Sequence, residues 1–176
     1  MKANPKPLIL VVDDEPDVRT YLAAVLERGG FEVVLAENGN QALTAMTERL
    51  PRAISLDLVM PKMSGLKFYQ YILKNKERAG IPVLCLTAHA GDEFGSKDLA
   101  QLEALRGKGG KLEVMSKPID PLRYVNTLRA MLDRPSLDRL EEGTPAKADE
   151  LRGEIVATLG RADVASLAAA LSLLKK

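Results

Sequence analysis

A single cysteine, Cys85, is all the thiol chemistry available to this chain of 176 residues, and it excludes an intramolecular disulfide. Cys85 lies inside an apolar run, which predicts a small buried core residue and a cytoplasmic setting. An excess of charge of one sign is also missing. The chain has 25 Lys and Arg against 24 Asp and Glu, so no net field draws it to nucleic acid. No apolar stretch is long enough to span a bilayer, and the opening Met-Lys-Ala-Asn-Pro-Lys-Pro lacks the apolar core of a signal peptide. Internal repeats and low-complexity tracts are absent as well. What is present is the composition of a soluble globular protein, with room for one ordinary domain and an appendage.

The order of residues says more. Leu8 to Val12 is a short β-branched run that ends in Asp13-Asp14-Glu15-Pro16, where the proline suits the first turn of a helix. Val18, Tyr21, Leu22, Val25 and Leu26 recur at helical spacing until Gly29-Gly30. Phe31 to Ala36 predicts a second strand, and Asn38-Gly39-Asn40 starts a second helix that runs toward Pro51. Ala53 to Asp57 is a third strand, followed by a helix from Gly65 that carries Leu66, Phe68, Tyr69, Ile72 and Leu73. Ile81 to Thr87 is a fourth strand, with Pro82 tolerable only near its start. Asp92 to Arg106 predicts a fourth helix, Lys111 to Ser116 a fifth strand, and Pro118 and Pro121 introduce a fifth helix. Strands alternating with helices in this way predict an α/β fold with a doubly wound, five-stranded parallel sheet.

Such a sheet gathers polar residues along one edge. Asp13 and Asp14 follow the first strand, Asp57 ends the third, Thr87 ends the fourth and Lys117 follows the fifth. Carboxylates converging there raise one another's pKa values unless a cation relieves them, and an oxygen-only site of this kind suits Mg²⁺. A carboxylate beside a metal, a hydroxyl and an ammonium fits phosphoryl transfer, in which catalysis is mostly positioning and charge neutralisation. Taken singly, Asp57 reads as a turn former, Thr87 as a strand former, Lys117 as a surface lysine and Asp13 as a helix cap.

The segments Val11-Val12-Asp13-Asp14, Asp57-Leu-Val-Met-Pro-Lys-Met-Ser-Gly65, Leu86-Thr87-Ala88 and Ser116-Lys117-Pro118 together resemble the receiver domain of two-component response regulators. The resemblance runs from about Leu8 to Arg134. Each motif by itself is commonplace; all four in order, each at a strand end, are specific. The resemblance implies the flavodoxin-like (βα)5 fold, with Asp57 accepting a phosphoryl group from a sensor histidine kinase or phosphotransfer protein. It implies Mg²⁺ held by Asp13, Asp14, Asp57 and the backbone carbonyl of Val59. It assigns Thr87 as the switch hydroxyl and Lys117 as the phosphate partner, with a cis Lys117–Pro118 bond. Such a protein is a phosphoacceptor that assists its own phosphorylation and dephosphorylation, not an enzyme in the ordinary sense.

Some positions depart from the family pattern. Val114 stands where many receivers carry an aromatic switch residue, and the stretch between Thr87 and Lys117 is longer than usual. Val59 and His89 follow Asp57 and Thr87 at places that modulate hydrolysis of the acyl phosphate in the family; His89 is otherwise read as a solvated loop residue. Residues 1–134 are expected to form the receiver, 135–146 a linker, and 147–176 two short amphipathic helices that cannot bury their apolar faces alone. These helices serve dimerisation or docking, on the receiver itself, a second copy or a partner. The tail is too short and too evenly charged for a DNA-binding output, so the expected output is a phosphorylation-dependent contact with a downstream protein, without nucleic acid or membrane. Two rivals are a pseudo-receiver that no longer uses phosphate and a Mg²⁺-dependent aspartyl phosphohydrolase. The second needs an acid two places after its nucleophile, where this chain has Val59.

Overall fold

The computed structural model describes residues 5–60, 62–87, 100–102, 104–105 and 111–140. The strands are β1 (Leu8–Val12), β2 (Glu32–Ala36), β3 (Ala53–Asp57), β4 (Val83–Thr87) and β5 (Leu112–Ser116). The helices are α1 (Pro16–Arg28), α2 (Gly39–Glu48), α3 (Gly65–Leu73), α4, described over residues 100–102 and 104–105, and α5 (Pro121–Met131). All strand pairs are parallel, in the order β2-β1-β3-β4-β5. The expected doubly wound sheet is the one found.

The apolar runs explain the layering. β1, β3 and β4 are buried at every position, as strands covered on both faces must be. Successive side chains alternate between two cores. Leu10, Val12, Ile54, Leu56 and Cys85 join Phe68, Tyr69, Ile72 and Leu102 on one face, and Ile9, Val11, Leu84 and Leu86 join Leu22, Leu26, Tyr124 and Leu128 on the other. β2 lies at the sheet edge, where Glu32 and Arg49 form an exposed, two-pronged ion pair.

Local signals set the helix starts. Pro16 and Pro121 occupy the first turns of α1 and α5. Asn38 Oδ1 accepts the amides of Asn40 and Gln41 at the head of α2, and Asp120 Oδ1 accepts that of Arg123 at the head of α5. Pro82 falls just before β4, so that strand opens at Val83, later than expected. The expected linker from residue 135 onward also shifts. Leu137 and Leu140 pack against the core under α1 and α5, and the first compact unit extends to Leu140. The second unit comprises Glu141–Lys176, so the two expected terminal helices, and His89 with them, lie outside the described residues.

Glycine matters most where α3 meets the end of β3. The Gly65 amide donates to Leu58 O at 3.1 Å, and a Cβ on Gly65 would stand 2.2 Å from Asp57 O and 2.9 Å from Leu58 Cα. By contrast Gly80, in the turn before β4, has nothing within 4 Å of such a Cβ. Gly65→Ala is therefore expected to displace backbone beside Asp57 and to cost about 3 kcal/mol or more, whereas Gly80→Ala leaves stability within about 0.5 kcal/mol. Urea unfolding midpoints at constant slope check the pair.

Candidate functional site

Parallel register delivers the expected polar residues to one edge. Val12 stands beside Leu56, Asp57 beside Leu86 and Thr87 beside Ser116, so each strand ends within one residue of its neighbour. The ladders then continue for one more residue past the strand ends. The Asp13 amide donates to Ala36 O at 3.2 Å, and the Lys117 amide donates to Thr87 O at 2.8 Å. Asp13 and Lys117 are thus fixed by sheet hydrogen bonds although each lies past the end of its strand.

The side chains close into a compact group. Lys117 Nζ lies 3.0 Å from Asp57 Oδ1 and 3.1 Å from Asp13 Oδ2. The remaining carboxylate oxygens take backbone donors: Asp13 Oδ1 accepts the Glu15 amide at 2.9 Å, and Asp57 Oδ2 accepts the Val59 amide at 3.1 Å. Asp13 and Asp57 are buried, at 1% and 5% exposure. Thr87 is buried beside them in the sheet, Asp14 is half-buried, and Val59 projects outward at 61% exposure. Asp13 does not cap α1, whose N-cap is Glu15; its carboxylate instead closes a local turn and meets Lys117.

Burial sets the electrostatics. It pushes the Asp57 carboxyl up to about 6; the Lys117 charge and hydrogen bond oppose this, and the charges of Asp13 and Asp14 reinforce it. Burial pulls the Lys117 ammonium down, yet its contacts with Asp57 and Asp13 together outweigh that and hold it above the ordinary lysine value. Among the described residues no three His, Cys, Asp or Glu side chains group into a metal cage, so Asp13, Asp14 and Asp57 do not form one unaided. The donor set fits Mg²⁺ all the same, because that ion prefers one or two carboxylates and completes its shell with backbone oxygens and water. Two buried carboxylates sharing a single ammonium leave negative charge that such an ion would relieve.

Comparison with known proteins places this geometry. The family model described as the response regulator receiver domain matches residues 9–129. The chain belongs to the response regulator receiver family. Protein PilH of Pseudomonas aeruginosa is 30% identical over 124 residues, 70% of this chain and 96% of PilH. The phosphate regulon transcriptional regulatory protein PhoB of Escherichia coli is 33% identical over 135 residues, 76% of this chain, which spans only 55% of PhoB. Among solved structures, the Vibrio cholerae chemotaxis protein CheY4 aligns with a TM-score of 0.60 at 26% identity, covering 72% of this chain and 98% of CheY4.

Other positions of this receiver differ in how the sequence announced them. The Lys117–Pro118 bond is cis, as the resemblance implies. Val114 is half-buried, beside Cys85 in the sheet and against the core that contains Phe68 and Leu102, with no ring to turn there. Arg19 was not anticipated: its Nη1 donates to the Asp13 carbonyl at 2.6 Å and so steadies the turn that presents Asp13. Ser55 and Tyr124 were not singled out either. Their buried hydroxyls make no hydrogen bond, although Ser55 stands near enough to temper the rise that burial imposes on the Tyr124 phenol. None of these three carries a motif.

Asp57 also sets a pH dependence. An acid whose pKa is raised by folding holds its proton more tightly when folded, so stability is full below the unfolded value near 3.8, falls as pH rises toward about 6, and is level above that. In Mg²⁺-free buffer Asp57→Asn is expected to be more stable than the parent by about 1–2 kcal/mol at pH 7, with the difference gone by about pH 4. Chemical denaturation of both proteins across that range measures it.

Proposed function

We propose that Asp57 is the phosphoacceptor of a response regulator, loaded by a sensor histidine kinase or phosphotransfer protein and read out through phosphorylation-dependent protein–protein contact. The observation that carries this reading is the Lys117 ammonium shared between Asp57 and Asp13, 3.0 and 3.1 Å away at the carboxyl edge of the sheet. A carboxylate so held is aimed and mostly ionised near neutral pH, as a nucleophile must be.

The transfer follows from these groups. An Asp57 carboxylate oxygen attacks phosphorus; the new O–P bond forms as the donor's P–N or P–O bond breaks, and the leaving group keeps the electron pair. Lys117 sits where charge accumulates on the phosphoryl oxygens, and the Thr87 hydroxyl, on β4 one residue past the neighbour of Asp57, donates a hydrogen bond to one of them. Asp13, Asp14, Asp57 and the Val59 carbonyl would hold Mg²⁺, which when bound neutralises phosphoryl charge. Val59 offers an attacking water no side-chain partner, and His89 is the candidate for orienting one or shielding the phosphate. The contact output is favoured over nucleic acid because the residues from Arg134 onward hold as many acids as bases. Among the described residues no helix is long and apolar enough to cross a membrane.

The test uses Mg²⁺ and acetyl phosphate with intact mass as the readout. The parent is expected to gain the mass of one phosphoryl group and Asp57→Asn to gain none. A folded parent that gains nothing is a pseudo-receiver; turnover of phosphate esters indicates a phosphohydrolase. Mg²⁺ at about a hundredfold its Kd is expected to stabilise the parent by about 2.7 kcal/mol and Asp13→Asn far less, as read from melting curves.

A further inference from the structure

Both helices that flank one face of the sheet are rooted in the site. α1 follows directly from Asp13, and α5 follows Lys117 after Pro118, Ile119 and Asp120. Beyond α5 the chain reverses, with the Arg134 amide on Arg129 O at 2.8 Å, and residues 134–140 climb back along the helix. Arg129 Nε donates to Pro135 O at 2.6 Å while its Nη1 donates to Gly29 O at 3.0 Å, at the end of α1. One turn nearer the start of α5, Asn126 grips a single residue at both ends: its Nδ2 donates to Leu137 O at 2.9 Å and its Oδ1 accepts the Leu137 amide at 2.7 Å. The segment therefore ascends toward the edge that holds Asp57. Leu137 and Leu140 join the apolar cluster that contains Val18 and Tyr21 of α1 and Ile119 beside Lys117.

We propose that residues 134–140 are a strap that reports the state of Asp57, released when the Lys117–Asp13 ion pair is broken. The inference rests on the reading of Asp57 as phosphoacceptor and adds the element that reads it. A phosphoryl group brings about two negative charges to Asp57 and competes for the one ammonium that Asp13 shares. That ion pair ties the start of α1 to the approach to α5, and the strap is seated on α5 and in the cluster both helices share. Its hold on α5 consists of three side-chain hydrogen bonds, the Arg134 reversal and two half-buried leucines, so it opens locally without unfolding the sheet. Val114 has no ring with which to carry the signal through β5, whereas Ile119 is two residues from Lys117 and inside the strap's own cluster.

Hydrogen exchange of the Leu137 amide in the full chain, with and without Mg²⁺ and acetyl phosphate, tests this when intact mass is read from the same samples. The mass-shifted protein is expected to exchange that amide about tenfold faster, and Asp57→Asn to show neither change. Asn126→Ala is expected to exchange it fast without any donor and still to gain the phosphoryl mass. A mass gain with Leu137 exchange unchanged or slowed overturns the strap, as does an Asn126→Ala protein that exchanges like the parent. No mass gain in the folded parent overturns the phosphoacceptor reading and, with it, the trigger, while Asn126→Ala still reports on the clasp.

Discussion

One ammonium group shared by two buried carboxylates is the interaction around which this molecule is arranged. Asp13 and Asp57 come from adjacent strands and are almost wholly removed from water. Two such charges side by side repel strongly in a poorly polarisable surrounding, and removing their common partner would leave both uncompensated. Lys117 reaches them from β5, with β4 in between, so a long flexible side chain is required where a short one would not span the gap. The strand order and the close register of the strand ends are conditions for that contact.

Stability and chemistry pull in different directions here. The two hydrophobic layers, with β1, β3 and β4 buried throughout, hold the edge rigid enough for charges to be placed against their own preference. Burial holds Asp57 well above the usual carboxylate range even with Lys117 beside it, and a single ammonium shared by two carboxylates leaves the site incompletely neutralised. Incomplete neutralisation is what suits the edge to the divalent cation and the phosphoryl group of the proposed reaction. The backbone donors on the outer carboxylate oxygens fix their direction without cancelling their charge.

Much of this was legible in the residues. Periodicity and proline placement located all five strands and four of the helices closely, because runs such as Leu8–Val12 and Ala53–Asp57 admit no other buried geometry of that length. Asp57, Asp13 and Lys117 were legible because strand ends in a parallel sheet must share an edge. What escaped was decided by tertiary contact. Leu137 and Leu140 sit among Pro135, Asp138 and Arg139, a composition that reads as linker, and only the Asn126 amide and the cluster beneath them turn it into docked chain. Arg19 is one arginine among many until its distance to the Asp13 carbonyl is known.

The turn before β4 has a practical meaning of its own. It lies at the opposite ends of the strands from Asp57, and Gly80 there faces open space. Since Cys85 is the sole thiol and is buried, a cysteine installed at residue 80 would be the one readily accessible attachment point among the described residues. A dye or spin probe placed there would give a fixed reference on the silent end of the domain, against which motion elsewhere can be measured in solution without touching the chemistry.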